Sequence, residues 1–292
     1  MDCCFDGDVF VLRDYNREPP FSGLLPGVAG LRGVPLWCFY VSRGQGVASF
    51  GAGERDGAMM EYVPAVTAYE DTARKGFRTF ISCGGRCFEP FAPDDPAQKQ
   101  ELRVSRAALE LRALHEPSDI EVRVEYRILP GEDMGALMRR VTVRNTGGGS
   151  ITFRLADGMA RVIPAGIRNR EFREMANLLK SYFDARLDGS GAALFSSRTT
   201  TENTARVGSV RRKNFYFASS GGRAMKLVCD PVRLFGPDTA LGRPARFYEA
   251  GFDMGGAPSD ARDGIPCAMA LGEFSLAPGG EAVIDAFAGS AD

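Results

Sequence analysis

Arg43 and Gln45 sit where a strand-like apolar run, VPLWCFYVSRGQGVASFG over residues 34–51, breaks and at once resumes. Gly44 and Gly46 satisfy a turn; an arginine and a glutamine do not follow from turn chemistry. Either the two side chains are a solvated hairpin tip, or they are placed to touch something. Trp37, Phe39 and Tyr40 beside them could form a stacking platform. Alternation, however, puts Trp37 and Phe39 on one face, and that pairing reads as core.

Other reactive groups are few. The one histidine, His115, lies in LHEPSD with no visible partner and reads as a structural or surface residue. A Ser-His-Asp site would have to be built on it, and the Gly-x-Ser-x-Gly elbow of such enzymes is missing. Cys83 and Cys87 bracket Gly84-Gly85-Arg86, a hairpin-turn composition. Structural zinc wants four ligands, and no second Cys/His pair accompanies them, so the thiols read as incidental. Asp14, Asp56, Glu61, Asp94, Asp95 and Asp157 could supply a glycosidic acid. Sequence does not say which of them face one another, and no catalytic residue is assigned. Neither a phosphate-cradling Gly-x-x-x-x-Gly-Lys-Ser/Thr loop nor a strand–Gly-x-Gly-x-x-Gly–helix unit is found.

The bulk composition narrows the partners. The chain has 292 residues, 44% of them hydrophobic and 25% charged, enough for a sizeable core. Its 36 Lys and Arg against 37 Asp and Glu leave no basic field, which argues against nucleic acid. The basic–aromatic run Arg211-Arg212-Lys213-Asn214-Phe215-Tyr216-Phe217 therefore reads as a strand with a charged start rather than a stacking platform for bases. No apolar run reaches membrane-spanning length, the acidic N-terminus does not read as a secretory signal, and seven cysteines do not make a disulfide scaffold. A reducing cytoplasm is expected, with no membrane partner.

The elements that must position these residues are strands. In residues 120–128, Ile120, Val122, Val124, Tyr126 and Ile128 alternate with Glu121, Arg123, Glu125 and Arg127, the pattern of a strand with one wet face. Residues 136–144 and 150–155 read as two further strands, and Asn145-Thr146-Gly147-Gly148-Gly149 between them as a hairpin turn. Residues 272–276, 277–280 and 281–287 give another strand–turn–strand signal. One helix is expected, over residues 168–187, from the spacing of Phe172, Met175, Ala176, Leu179, Tyr182 and Phe183. Residues 234–263, rich in Gly, Pro and Asp, read as a long functional or mobile loop. The fold class is all-β: a large two-sheet antiparallel sandwich with one notable helix, a single domain over residues 1–292.

Read in order, these segments resemble the N-terminal domain of the cellobiose phosphorylase and β-glucan phosphorylase type of inverting glycoside phosphorylases. The resemblance rests on Phe10-Val11-Leu12-Arg13-Asp14-Tyr15-Asn16-Arg17 followed by Pro26-Gly27, and on the glycine-bearing hairpin of residues 36–50. It continues through Arg55-Asp56-Gly57-Ala58-Met59-Met60-Glu61-Tyr62, the hairpin of residues 76–91 and Arg139-Arg140-Val141-Thr142-Val143-Arg144-Asn145-Thr146. Pro266-Cys267-Ala268-Met269-Ala270 and Leu276-Ala277-Pro278-Gly279-Gly280-Glu281 close it. The resemblance implies a supersandwich that precedes linker helices and a catalytic α/α barrel. The general-acid Asp and the phosphate-holding residues belong to that barrel, and Asp292 falls about where the first domain ends.

The resemblance further implies a homodimer whose first-domain loops approach the partner's active site. Arg43 and Gln45 are then the candidate substrate-binding tip, able to hydrogen-bond sugar hydroxyls or help hold phosphate. The tip departs from the glycine run common in cellobiose phosphorylases, which favours a longer β-glucan oligosaccharide. The barrel would act in cis or in trans, with inorganic phosphate as co-substrate and no metal or organic cofactor. Two rival readings remain: a stand-alone glucan-binding sandwich with a surface aromatic strip, and a purely structural partner with an exposed apolar docking patch.

Overall fold

The computed structural model describes residues 2–25, 33–198, 210–256 and 260–291. Pro26 and Gly27 lie outside the described residues. Strands β1 (Cys3–Asp6), β2 (Val9–Arg13), β3 (Ser22–Leu24), β4 (Leu36–Val41), β5 (Val47–Ala52), β6 (Phe77–Cys83) and β7 (Arg86–Phe88) come first. They are followed by β8 (Gln98–Val104), β9 (Leu109–His115), β10 (Ile120–Ile128), β11 (Gly135–Asn145), β12 (Ile151–Met159), β13 (Phe183–Leu187) and β14 (Ala193–Ser197). Strands β15 (Lys213–Ser220), β16 (Arg223–Ala224), β17 (Lys226–Val228), β18 (Ala261–Arg262), β19 (Ala268–Leu276) and β20 (Glu281–Ala291) complete the set. Helices α1 (Ala65–Lys75), α2 (Asn169–Leu179) and the single turn α3 (Val232–Phe235) lie between them.

The protein is an all-β sandwich. Its large sheet runs β1-β2-β8-β9-β10-β11-β20-β15-β14-β13-β18, with β16 beside β15. The smaller sheet runs β17-β19-β12-β6-β7, and β3-β4-β5 form a third. Strict alternation sets the inner face. Val122, Val124 and Tyr126 of β10 and Val141 of β11 are buried in one core with Ile81, Phe153 and Leu155 of the smaller sheet. Burial of this apolar set is the dominant stabilising term.

One turn behaves differently from the sequence expectation. Asn145-Thr146-Gly147-Gly148-Gly149 does not close a hairpin: β11 belongs to the large sheet and β12 to the smaller one. The segment over residues 277–280 likewise carries the chain from β19 in one sheet to β20 in the other. Both are arches across the sandwich, and Asn145 stitches them together. Its backbone N–H donates to the Gly280 carbonyl at 3.0 Å, its carbonyl accepts from the Gly279 N–H at 3.0 Å, and its Nδ2 donates to the Gly149 and Leu276 carbonyls. The Gly84-Gly85 turn, by contrast, is a true hairpin: Cys83 pairs with Arg86, and both glycines have positive φ.

The expected helix is shorter than its apolar stripe. α2 ends at Leu179, a 3₁₀ turn spans Lys180–Tyr182, and Phe183 opens β13. Phe172 and Leu179 are buried while Met175, Leu178 and Tyr182 are exposed, so the helix has a seated and an outward apolar side. Asn169, at its start, exchanges hydrogen bonds with the Tyr62 backbone at 2.7 and 3.1 Å. A second full helix, α1, packs against the β4–β5 hairpin with only Ala68 and Thr72 buried.

Between the sheets lies a buried polar cluster drawn from the large sheet, the smaller sheet and the β4–β5 turn. Arg139 of β11 donates through Nη2 to Asp157 Oδ1 of β12 at 2.6 Å and to Gln45 Oε1 at 2.6 Å. Its Nη1 donates to the Tyr126 hydroxyl at 2.9 Å, and Thr79 Oγ1 donates to Asp157 Oδ1 at 2.6 Å. Burial, the largest single influence, pulls the Arg139 guanidinium toward the neutral form, but Asp157, Tyr126 and Tyr216 together outweigh it and the net shift is upward.

Candidate functional site

The residues that sequence places at a ligand are held by the protein itself. Gln45 is 2% exposed; its Nε2 donates to Thr79 Oγ1 at 3.0 Å while its Oε1 takes the Arg139 bond. Arg43, half-buried, donates to the carbonyls of Tyr15, Ser42 and Glu18 at 2.9, 2.7 and 2.8 Å. Gly44 receives the Tyr15 hydroxyl on its carbonyl, and its N–H donates to Asn16 Oδ1 at 2.8 Å. The turn is thus tucked between α1 and the N-terminal segment rather than projected into solvent. A Cβ at Gly44 would stand 2.7 Å from the Ala73 Cα, and its φ of +52° also favours glycine.

Trp37 and Phe39 do share a face, as expected, and both pack on Tyr62, at 5.6 and 6.3 Å between ring centres. His115 stacks on Phe88 at 3.9 Å in the core, where burial lowers its pKa.

A cleft with the dimensions of a ligand site lies elsewhere, between the C-terminal end of α2 and the segments around α3 and β18. It encloses about 540 Å³, within the range of small-molecule sites. Four stretches of chain line it. β12 leads into Ala160 and Arg161; α2 and its 3₁₀ turn supply Asn177 and Lys180; the start of α3 and the loop after it supply Asp230, Val232, Asp238 and Thr239; β18 and its flanks supply Asp260, Arg262 and Asp263.

Much of this charge is used to shape the walls. Asp238 accepts from the Ala240 and Gly242 N–H groups at 2.9 and 2.8 Å, an Asx-type turn that holds the loop. Arg161 Nη2 donates to the Thr239 carbonyl at 3.2 Å, and Asp230 Oδ1 accepts from the Val232 N–H at 3.0 Å. Asp260 accepts from the Leu187 N–H at 3.2 Å, and Asp263 holds Arg198. Asp260 and Asp230 also lie within electrostatic reach of the buried Cys229 thiol, which burial, with their help, pushes up to about 12. The side chains of Lys180 and Asn177 have no protein partner among the described residues.

Chemically, the cleft offers carboxylate acceptors beside guanidinium and ammonium donors, with cations and anions in near balance and no aromatic ring in its lining. A hydroxyl both donates and accepts, so a polyhydroxylated neutral ligand matches this mixture. Among the described residues no three His, Cys, Asp or Glu side chains are grouped as a metal site. Nor is any described helix long and apolar enough to cross a membrane. The Gly/Pro/Asp-rich run over 234–263 was the sequence signal for the cleft. Arg161, Lys180 and Asp230 carried no signal of their own.

No family model matches this sequence, and no curated protein matches it. Solved structures do. A polysaccharide lyase aligns at a TM-score of 0.46 and 11% identity, over 88% of this chain and 32% of its own. A protein described as an aldose 1-epimerase from Escherichia coli K12 aligns at 0.40 and 10% identity, over 94% of this chain and 99% of its own. A protein described as a kojibiose phosphorylase from the human microbiome aligns at 0.36 and 6% identity, over 93% of this chain and 25% of its own. The chain thus spans about a third of the lyase and a quarter of the phosphorylase.

Proposed function

We propose that this chain is a carbohydrate-associated domain that works against a catalytic α/α barrel, as the N-terminal domain of an inverting glycoside phosphorylase acting on β-glucosides. The reading is supported by the ordered sequence resemblance together with the large antiparallel sandwich. One observation carries it: a single helix serves two surfaces. α2 and its 3₁₀ turn line the charged cleft with Asn177 and Lys180, and beside them expose Met175, Leu178 and Tyr182 to solvent. Exposed apolar side chains grouped at the rim of a polar cleft suit a cleft completed by a docked domain.

In the complete enzyme the barrel would protonate the glycosidic oxygen while phosphate attacks the anomeric carbon, giving α-glucose 1-phosphate and a shortened glucan. This chain would supply dimer contacts and a rim for the glucan. The seven cysteines are free thiols, in keeping with a reducing cytoplasm.

The test measures phosphate release from α-glucose 1-phosphate with a panel of β-gluco-oligosaccharides. The purified chain is assayed alone and with a barrel from the same inverting-phosphorylase family. Activity only in the mixture supports the reading; turnover by the chain alone sinks it, since the sandwich would then hold its own acid.

A second reading, a stand-alone glucan-binding sandwich, is favoured by the outward face of the large sheet. There Phe215 and Phe217 of β15 are half-buried, and Phe217 pairs directly with Phe287 of β20. Binding of β-gluco-oligosaccharides by the isolated chain, lost in Phe217→Ala, would select it.

A further inference from the structure

The outer face of the large sheet is a lattice of arginines and carboxylates, and most of its arginines hold a carboxylate. Arg103 holds Glu101 at 2.9 Å, Arg112 holds Glu110 at 2.6 Å, Arg127 holds Glu125 at 2.6 Å, and Arg140 holds Asp285 at 2.6 Å. Arg144 lies 3.8 Å from Glu281. Arg123 of β10 has no carboxylate partner among the described residues. The register sets it directly opposite Arg112 of β9 on one side and Thr142 of β11 on the other. Like charges facing one another across an antiparallel pair are destabilising. A strand that places its one unpaired guanidinium there keeps a local cost that the sheet does not need.

The same residues enclose a recess of about 170 Å³, lined by Arg112, Arg123, Arg144, Thr142, Glu121 and Glu281. Thr142, 7% exposed, lies at its base. Glu121 sits opposite Arg144 in register, so the second row of the recess alternates in sign while the first is wholly cationic or neutral. Three guanidinium forks lining one recess with a hydroxyl are donors that match the planar or tetrahedral oxygens of a carboxylate or phosphate.

We propose that Arg112, Arg123, Arg144 and Thr142 form a binding site for an oxyanion, the sugar carboxylate of a uronate or a phosphate group. Arg123 is its central donor, and the flanking Glu121 and Glu281 accept hydroxyls of the same ligand. The ligand relieves the Arg112–Arg123 opposition by placing negative charge between them. This site lies on strands that contribute nothing to the cleft at α2, so it stands whether or not the phosphorylase reading holds.

The test is calorimetric titration and thermal unfolding of the native protein with inorganic phosphate, glucuronate, glucose and, at matched ionic strength, sodium chloride. Saturable binding of phosphate or glucuronate, with no response to glucose or chloride, supports the site. Phosphate alone identifies a phosphorylated or free-phosphate ligand, and glucuronate alone identifies an acidic sugar. Arg123→Gln, an outward-facing change, is expected to weaken that binding about tenfold, the loss of one charge-assisted contact. Without ligand it should unfold at the same or a higher temperature than the native protein, because the facing charge is gone. Equal responses to chloride and to the oxyanions, or unchanged affinity in Arg123→Gln, overturns the proposal.

Discussion

Arg139 and Asp157 meet at 2.6 Å with side chains 1% and 0% exposed, joining the large sheet to the smaller one. A buried pair of this kind is costly to break and far less costly to replace whole. Asp157→Leu alone is expected to destabilise the fold by about 3–5 kcal/mol, because it strands a buried guanidinium. Adding Arg139→Met should recover most of that loss. Urea unfolding of the two variants checks this; a double variant no more stable than the single one would show that the pair, not its charge balance, holds the sheets.

Gln45 and Arg43 separate a structural role from a ligand role. Gln45→Ala removes the partner of Arg139 and Thr79 and should cost about 1–3 kcal/mol, as expected for buried groups left unpaired. Arg43→Ala removes three bonds to carbonyls and should also lower stability. If either variant keeps full stability but loses saccharide affinity, the side chain serves a ligand instead.

His115 gives the fold a pH dependence of known sign. Its pKa is lowered, first by burial and then by Arg86, with Asp95 opposing. The folded state therefore prefers the neutral ring. Its contribution is complete above the unfolded value of about 6.5 and declines as pH falls through that value toward the folded pKa. Between pH 5 and 7, roughly the window around that unfolded value, the native protein should lose more stability on acidification than His115→Phe. Parallel pH profiles of the two proteins would contradict this.

Lys180 is the cleft's uncommitted cation. Lys180→Ala is expected to leave the unfolding midpoint nearly unchanged, within about 0.5 kcal/mol of native stability, while weakening saccharide binding in the assembled enzyme. Binding isotherms with and without the barrel measure it.

Leu178, 70% exposed on α2, tests docking. Leu178→Glu should fold as the native chain does and fail to co-elute with the barrel on gel filtration. Co-elution at native yield would place the docking surface elsewhere.

The strands were legible because alternation is a local signal: β10 reads directly from its sequence, and burial follows it residue by residue. Sheet membership was not. Asn145-Thr146-Gly147-Gly148-Gly149 has the composition of a hairpin turn, yet only distant strands decide whether the next strand pairs back or crosses the sandwich. Tyr182 and Phe183 extend the helical period of α2, but pairing of Phe183 with Ser197 across β13 and β14 overrides it. α1 leaves little sequence signal because it buries only Ala68 and Thr72, with almost no apolar stripe. Gln45 could not be placed because its partners, Thr79 and Arg139, lie far along the chain.

Strand β20, Glu281–Ala291, lies between β11 and β15 and pairs with both along most of its length. During synthesis, every strand of the large sheet from β1 to β18 is made before the one that joins its halves. Until residues 281–291 leave the ribosome, β11 and β15 each present an unpaired edge, the surface on which strands from other chains can add. Closure through so distant a segment is slow. A chain truncated before residue 281 is therefore expected to keep both edges open and to aggregate rather than fold as a smaller stable domain, which solubility of that truncation checks.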